Sequence, residues 1–217
     1  LGKAAPAIAR ASFWNGGQVC SAAGKILAPR TIAARLAEAV AAEASRVVVG
    51  DPFDPDTTMG PQHLRSGIDR VQGLVDDAVN RGARVLAGGQ PLRGPGTYYP
   101  PTVLADVPVE AAVFQEETFG PVAAITAVDS DEDLVGAANA GSYGLCAAVF
   151  TRSLERAFST SEAVEAGLVV VNDTSNWWEY TVPFGGASGR ESGRGRIGGS
   201  QVMLEFTQVT TVAIDVG

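Results

Sequence analysis

The feature that most constrains the fold is an alternation of helical and strand-like segments in the second half of the sequence. A helix at residues 131–140 begins after Ser130, a residue type that caps helices, and another helix covers residues 154–163. Continuous apolar runs at residues 146–151 and 168–171 are typical of strands buried on both faces. The alternation predicts an α/β fold with a mostly parallel, twisted sheet flanked by helices.

The first half of the sequence has the same character. Apolar residues recur at helical spacing in residues 3–14, 31–44 and 61–81, and residues 83–87 form a short apolar run that predicts a buried strand. Long loops rich in glycine and proline separate the elements; the longest are residues 50–60, 88–101 and 172–199. Because loops of this length in a compact domain are usually functional or disordered, they are the places to search for a site.

The charge balance excludes several classes of partner. The 16 Lys and Arg residues against 24 Asp and Glu give a net charge of −8, which repels nucleic-acid backbones and anionic membranes. No apolar run is long enough to cross a membrane, so neither nucleic acid nor membrane is an expected partner. Two cysteines and one histidine do not form a disulfide framework or a zinc site. We therefore predict a cytoplasmic protein with no metal site.

Cys20 is the strongest candidate for a chemical role. It ends the segment Asn15-Gly-Gly-Gln-Val-Cys20, in which Gly16 and Gly17 allow a tight turn after the first helix. Such a turn presents the thiol with its own N–H free to stabilise an oxyanion. The competing interpretation is a small buried apolar residue. The nearest helix end is a C-terminus, whose partial negative charge disfavours a thiolate, so a separate base is needed.

Three other features have structural as well as functional interpretations. Cys146 lies in an apolar strand pattern and is predicted to be core. The segment Gly193-Arg-Gly-Arg-Ile-Gly198 has the spacing of a dinucleotide fingerprint, but it follows no strand and opens no βαβ unit, so we reject it. The rings of Trp177, Trp178 and Tyr180 either form a small core under their loop or wall an apolar pocket.

A series of short motifs resembles the aldehyde dehydrogenase superfamily. In chain order they are Phe13-Trp-Asn-Gly-Gly-Gln-Val-Cys20, Val49-Gly-Asp-Pro-Phe-Asp54, Met59-Gly-Pro61, Tyr98-Tyr-Pro-Pro-Thr-Val-Leu104, Glu116-Glu-Thr-Phe-Gly-Pro121, Tyr143-Gly-Leu145, Pro183-Phe-Gly-Gly186 and Ser192-Gly-Arg-Gly-Arg196. Each motif is weak alone. Their order and spacing along nearly the whole chain make the resemblance specific.

The resemblance implies oxidation of an aldehyde to a carboxylic acid with NAD or NADP. Cys20 matches the nucleophile, which forms a thiohemiacetal, yields a hydride to nicotinamide and leaves a thioester for water to hydrolyse. Glu117 and Phe119 match the residues that hold the nicotinamide ribose and ring; Glu116 and Glu117 alone would be interpreted as a solvated acidic turn.

The resemblance also implies a pocket for a small-molecule aldehyde. Val19 and Ser21 flank the thiol in that pocket, and Trp178 and Phe184 match its aromatic walls. We therefore expect an apolar or aromatic aldehyde as the substrate.

The resemblance assigns residues 1–203 to the catalytic domain and residues 204–217 to a C-terminal strand of the type that builds homo-oligomers. The family's general base and its cofactor domain have no match in the sequence. We therefore expect the catalytic half of a longer enzyme, with weak or no NAD(P) binding and little dehydrogenase activity by itself. Two other functions stay open. One is a cysteine esterase or thioesterase module without a nucleotide, and the other is an inactive relic of the fold with a structural or subunit-contact role.

Overall fold

The computed structural model describes all 217 residues, Leu1–Gly217. The helices are α1 (Ala4–Phe13), α2 (Arg30–Ala44), α3 (Arg65–Asn80), α4 (Ala112–Gln115), α5 (Asp131–Asn139), α6 (Leu154–Ala163) and α7 (Gln201–Glu205). The strands are β1 (Ile26–Pro29), β2 (Arg84–Ala87), β3 (Thr102–Ala105), β4 (Val122–Val128), β5 (Cys146–Val149) and β6 (Leu168–Val171). The helix expected from residue 61 begins later, because the N–H of Gln62 donates to the carbonyl of Thr97 at 2.7 Å instead of entering the helix.

The strands form two sheets. Four of them lie in the order β1-β4-β3-β2, in which β1, β4 and β3 are parallel and β2 is an antiparallel edge. β5 and β6 form a separate parallel pair. The prediction of an α/β fold with a mostly parallel sheet flanked by helices is therefore confirmed.

The prediction of a buried strand at residues 83–87 is wrong for most of its length. Ala83 is buried, but Arg84 and Val85 are exposed, because β2 is the outer strand of the sheet. The guanidinium of Arg84 pairs at 2.7 Å with the carboxylate of Asp106, which follows the neighbouring strand. An apolar run as short as this does not distinguish a central strand from an edge strand.

Two apolar cores lie on opposite faces of the four-stranded sheet. α1 and α2 pack on one face with Val103 and Ile125, and α3 packs on the other face with Leu104 and Ala124. The neighbouring residues Val103 and Leu104 enter different cores because successive side chains of a strand point to opposite faces. For this reason β3 is buried along its whole length.

The predicted C-terminal strand does not form in this chain. Leu204 and Glu205 belong to α7, and residues 206–217 have no regular secondary structure. Apolar side chains of this tail are exposed, Phe206 at 85% and Val209 at 92%. The physical reason is that a strand requires a second edge for its backbone hydrogen bonds, and no such edge lies beside the tail. Its role in oligomers and the domain division at residue 203 stay predictions.

Two further properties concern membranes and metals. None of the helices combines the length and the apolar character needed to cross a bilayer. No three side chains of His, Cys, Asp or Glu come together in a way that could hold a metal ion.

Candidate functional site

A turn of left-handed residues precedes Cys20. After α1 the chain makes a 3-10 turn at Trp14–Gly17, in which φ is +53° at Asn15, +64° at Gly16 and +70° at Gly17. Left-handed φ values cost little at glycine and are tolerated by asparagine. The segment Asn-Gly-Gly therefore reverses the chain direction within a few residues and brings Cys20 to an exposed position.

Gly17 lets this turn contact the loop before β4. A Cβ atom at Gly17 would lie 2.1 Å from the carbonyl oxygen of Gly120 and 2.8 Å from the nitrogen of Pro121. Any other residue would separate the two backbones. The segment that carries Cys20 and the segment that carries Phe119 are therefore fixed against each other by glycine.

Two glutamine side chains form hydrogen bonds between this turn and the segment that precedes α3. The buried side chain of Gln62, 3% exposed, donates from Nε2 to the carbonyl of Gly16 at 2.9 Å. Gln18 accepts at 2.8 Å from the N–H of His63 through Oε1. Gln18 belongs to the motif that ends at Cys20, but Gln62 was not identified from the sequence. Its position directly after Met59-Gly-Pro61 was the available signal.

The two cysteines differ in accessibility. Cys20 is exposed, and its backbone N–H makes no hydrogen bond within the chain, so this N–H is available to a ligand; its role as an oxyanion donor stays a prediction. Cys146 is half-buried in β5, less buried than predicted for a core residue. Burial, followed by the nearby charge of Cys20, raises the pKa of Cys146 to about 12. Cys20 is therefore the accessible thiol, whereas Cys146 stays protonated at neutral pH.

The residue after Cys20 is held by the loop that follows β6. The hydroxyl of Ser21 donates to Oδ1 of Asn176 at 2.9 Å, and the hydroxyl of Ser175 donates to the carbonyl of Ser21 at 2.7 Å. Nδ2 of Asn176 is buried without a partner. Sequence reasoning missed Ser175 and Asn176, because their partner lies more than 150 residues earlier in the chain.

A cavity of about 870 Å³ brings most of the predicted site residues together. Those that line it are Val19, Cys20, Ser21, Glu117 and Phe119. The thiol, an acidic side chain and an aromatic ring therefore share one space. This arrangement is suited to two ligand groups. One reacts with the thiol of Cys20, and the other has a flat ring and hydroxyl groups that contact Phe119 and Glu117.

The loop that carries Glu117 and Phe119 is fixed by α3. Phe119 has a φ of +46°, which is uncommon for a bulky residue, and its side chain is 46% exposed. The guanidinium of Arg70 donates to the carbonyl of Thr118 at 2.8 Å and lies 3.5 Å from the carboxylate of Glu116. Glu117 makes no such ion pair and is exposed, so its carboxylate is available to accept hydrogen bonds. Arg70 was not identified from the sequence.

Trp178 and Phe184 lie outside the cavity lining. The ring of Trp178 packs 5.2 Å from that of Tyr180 and 5.7 Å from that of Phe184, measured between centroids. Its Nε1 donates to the carbonyl of Val182 at 3.0 Å. The rings contact one another but do not form the small core drawn from the sequence as one alternative, since Tyr180 is 84% exposed. A role in a substrate pocket stays a prediction.

Lys25 has a structural position beside the cavity. Its ammonium group donates to the carbonyls of Ala137 and Ala140 at the end of α5 and lies 4.8 Å from the centre of the Phe114 ring. Burial, followed by the charge of Arg190, lowers the pKa of Lys25. Because the ammonium group caps a helix C-terminus, it is not directed at Cys20 as a base.

The comparison with protein families decides the assignment. The family model described as "Aldehyde dehydrogenase family" matches residues 1–212. The chain belongs to the aldehyde dehydrogenase family. Among its curated relatives, it is 42% identical over 197 residues to benzaldehyde dehydrogenase [NAD(+)] from Pseudomonas putida. It is 37% identical over 216 residues to succinate-semialdehyde dehydrogenase from Paenarthrobacter nicotinovorans.

Solved aldehyde dehydrogenase structures share the fold. An NAD⁺ complex of the aldehyde dehydrogenase from Bacillus cereus superposes with a TM-score of 0.92 at 31% identity and covers 100% of this chain but 43% of that one. The match covers 91% of this chain and 40% of the Pseudomonas protein, and 99% of this chain and 47% of the Paenarthrobacter protein. This aldehyde dehydrogenase chain thus spans less than half the length of these relatives.

Proposed function

We propose that the chain supplies the reacting thiol of an NAD(P)⁺-dependent enzyme that oxidises an aldehyde to a carboxylic acid. The observation that carries the proposal is the exposed Cys20, with its free N–H, in one cavity with Glu117 and Phe119. Names of relatives include a benzaldehyde and a succinate-semialdehyde dehydrogenase, which supports aldehydes as the substrate class. An apolar or aromatic aldehyde stays our expectation within that class.

The first step uses atoms that this chain provides. Sγ of Cys20 forms a bond to the aldehyde carbon, and the electron pair of the carbonyl moves to oxygen to give a thiohemiacetal. The backbone N–H of Cys20 donates to the developing oxyanion. The thiol proton passes to a base, which we assign to polypeptide outside these residues because the family's general base has no match in this sequence and the chain spans less than half of its relatives.

The second step converts the adduct on Cys20 to a thioester. NAD(P)⁺, when bound, supplies the acceptor for the hydride that leaves the former aldehyde carbon. Glu117 and Phe119 fit the nicotinamide riboside end of that cofactor, because an exposed carboxylate accepts from a ribose diol and an exposed ring packs on a flat heterocycle. Water then attacks the thioester, releases the carboxylic acid and returns the Cys20 thiol.

The proposal includes a longer enzyme. Because the chain spans 40% and 47% of the two relatives, we assign the cofactor domain and the general base to polypeptide outside residues 1–217. The catalytic domain is assigned to residues 1–203, and residues 204–217, which form no strand in this chain alone, are assigned to contacts between subunits. A cytoplasmic location belongs to the same proposal.

Acylation of the chain by p-nitrophenyl acetate tests the role of Cys20. We expect one acetyl group on Cys20, its loss in Cys20→Ser, and its retention in the control Cys146→Ser. At pH 8 a thiol with a pKa of about 12 is ionised in roughly one molecule in ten thousand, so Cys146 does not compete. Peptide mapping by mass spectrometry locates the adduct. No adduct in the unaltered chain, or an unchanged one in Cys20→Ser, contradicts the proposal and favours a structural role.

Calorimetric titration with NAD⁺ and NADP⁺ tests the division of the site. We expect dissociation constants no tighter than about 1 mM for the 217-residue chain, since it provides contacts to one end of the cofactor only. Glu117→Gln serves as the matched variant, which keeps the size of the side chain and removes its charge. Micromolar binding that survives in this variant would show that the chain has a complete cofactor site of its own.

A further inference from the structure

Cys20 lies in a tight turn of its own. The N–H of Ala22 donates to the carbonyl of Val19 at 3.0 Å, so Cys20 and Ser21 are the two central residues of a four-residue turn. The bond that closes such a turn does not use the N–H of the first central residue, which agrees with the free N–H of Cys20. The direction in which this N–H points therefore depends on how the whole turn is held.

A second turn of the same kind follows β6. The N–H of Trp177 donates to the carbonyl of Thr174 at 3.0 Å, which places Ser175 and Asn176 at the centre of that turn. The hydroxyl of Thr174 also accepts from the N–H of Asn176 at 3.3 Å. Because Thr174 is only 2% exposed, water competes little for these bonds and the turn has a defined shape.

The loop that carries the second turn is fixed where it leaves the sheet. Asn172 directly follows β6, and its side chain donates from Nδ2 to the carbonyl of Thr151 at 2.8 Å. The Oδ1 atom of Asn172 accepts from the N–H of Thr151 at 3.0 Å. With both backbone groups of Thr151 bound, the loop leaves β6 in one direction.

The two turns meet at Ser21. Its hydroxyl donates to Oδ1 of Asn176 at 2.9 Å, and its carbonyl accepts from the hydroxyl of Ser175 at 2.7 Å. We call these two hydrogen bonds the turn–turn contact. Ser21 is 9% exposed and Ser175 is 7% exposed, so both bonds lie largely out of water.

The turn–turn contact limits the movement of Cys20. A turn that is held only at its two ends can rotate about the line that joins them. The contact prevents this rotation because it binds Ser21 through its side chain and through its backbone carbonyl. Since Cys20 is the neighbouring residue in the same turn, the direction of its N–H is fixed as well.

Asn176 contains a buried donor without a partner. Its Nδ2 makes no hydrogen bond, and the only side-chain bond of Asn176 is the one that Oδ1 accepts from Ser21. A buried donor without a hydrogen bond lowers stability, and an apolar side chain of similar size would avoid that penalty. The residue therefore favours a role for the bond to Ser21 in the reaction rather than in packing alone.

We propose that Ser175 and Asn176 are positioning residues for the reaction at Cys20. Through the turn–turn contact they hold the N–H of Cys20 in the direction from which it donates to the oxyanion of the adduct. The inference rests on the proposed function, and it adds to the site two residues that touch neither the substrate nor the cofactor.

Two reagents that attack the same thiol test the proposal on the whole chain. p-Nitrophenyl acetate reacts at a carbonyl and develops an oxyanion, whereas Sγ displaces iodide from iodoacetamide without one. We expect Ser175→Ala and Asn176→Ala each to slow acylation of Cys20 by at least about tenfold and to leave its alkylation within about twofold. Release of p-nitrophenolate and mass spectrometry of the Cys20 peptide measure the two rates. Equal slowing with both reagents, or unchanged acylation, overturns the proposal.

Two further variants separate the hydrogen bonds from general effects of substitution. Ser45→Ala removes a hydroxyl that donates to the carbonyl of Ala42 at 2.8 Å at the exposed end of α2, and it should change neither rate. Ser175→Thr keeps a hydroxyl at the contact and should retain at least about half of the acylation rate. A threonine variant as slow as Ser175→Ala would show that packing, not the hydrogen bond, matters. Thermal unfolding checks that each variant folds, and if one alanine variant does not, the other decides.

The same measurements distinguish this inference from the proposed function. If the unaltered chain is alkylated at Cys20 but never acylated there, the proposed function is wrong, and the role of the turn–turn contact is wrong with it. If the unaltered chain is acylated and both alanine variants react at the same rate, only the role of Ser175 and Asn176 is wrong.

Discussion

Replacement of Gly17 by alanine is expected to destabilise the chain by about 2–4 kcal/mol and to slow the acylation of Cys20. The φ of +70° is strained for alanine, and its Cβ would lie 2.1 Å from the carbonyl oxygen of Gly120. Either the backbone at Gly17 or the backbone at Gly120 has to move. Both segments belong to the site, because the first leads to Cys20 and the second follows Phe119. Urea unfolding and the rate of acylation by p-nitrophenyl acetate measure the two effects.

Gly73→Ala is the matched control for Gly17→Ala. Gly73 lies in α3, and a Cβ there would meet nothing within 4 Å. Because alanine favours helix over glycine, this change is expected to stabilise the chain by about 0.5–1 kcal/mol and to leave acylation unchanged. If Gly17→Ala were as stable and as reactive as the unaltered chain, the turn would not be held against Gly120 as the structure indicates.

The candidate site shows which residues a sequence can identify. Cys20, Glu117 and Phe119 were found because each belongs to a short motif whose members are neighbours in the chain. Gln62 and Asn176 were not found, since they act through single hydrogen bonds to partners 46 and 155 residues away. Such contacts depend on how the elements pack, and no local pattern records them.

The fold shows the same division between local and distant information. Helices α2 and α3 were predicted from their apolar spacing and α5 from its capping residue Ser130, whereas β1, β3 and β4 were not predicted at all. β1 and β3 have only four residues; β1 ends in Pro29, and β3 directly follows Pro101. Because β3 is buried on both faces, it has no polar and apolar alternation to distinguish it from an apolar turn.

The C-terminal tail and the edge strands β1 and β5 are complementary cases. The tail has the alternating pattern of a strand, yet it forms none, because no edge lies beside it. β1 and β5 have edges, yet no strand lies between them. A pattern of residues sets which face of a strand is buried, but the strand itself forms only when a backbone partner is present. For this reason secondary structure at an edge is the least predictable from one chain.

The second large effect is expected for Phe114→Ala. Phe114 is 1% exposed in the core between α3 and the sheet, and its ring lies 4.8 Å from the ammonium of Lys25. Truncation of a buried phenylalanine costs about 3–5 kcal/mol, which lowers the Tm of a chain of this size by on the order of 10 °C. Calorimetry or thermal unfolding followed by circular dichroism measures this shift.

The same substitution tests whether two segments of the candidate site, residues 15–20 and residues 116–119, loosen independently. Phe114 lies in α4, which leads directly to the loop with Glu117 and Phe119, whereas the turn before Cys20 is held by contacts with Gln62 and Gly120. We therefore expect faster amide exchange at residues 116–119 than at residues 15–20 in Phe114→Ala, relative to the unaltered chain. Phe53→Ala is the control, since Phe53 is 96% exposed and its loss should change neither Tm nor exchange. Equal loosening of both segments in Phe114→Ala would mean that the cofactor-facing loop and the thiol turn form one cooperative unit, held by the contact between Gly17 and Gly120.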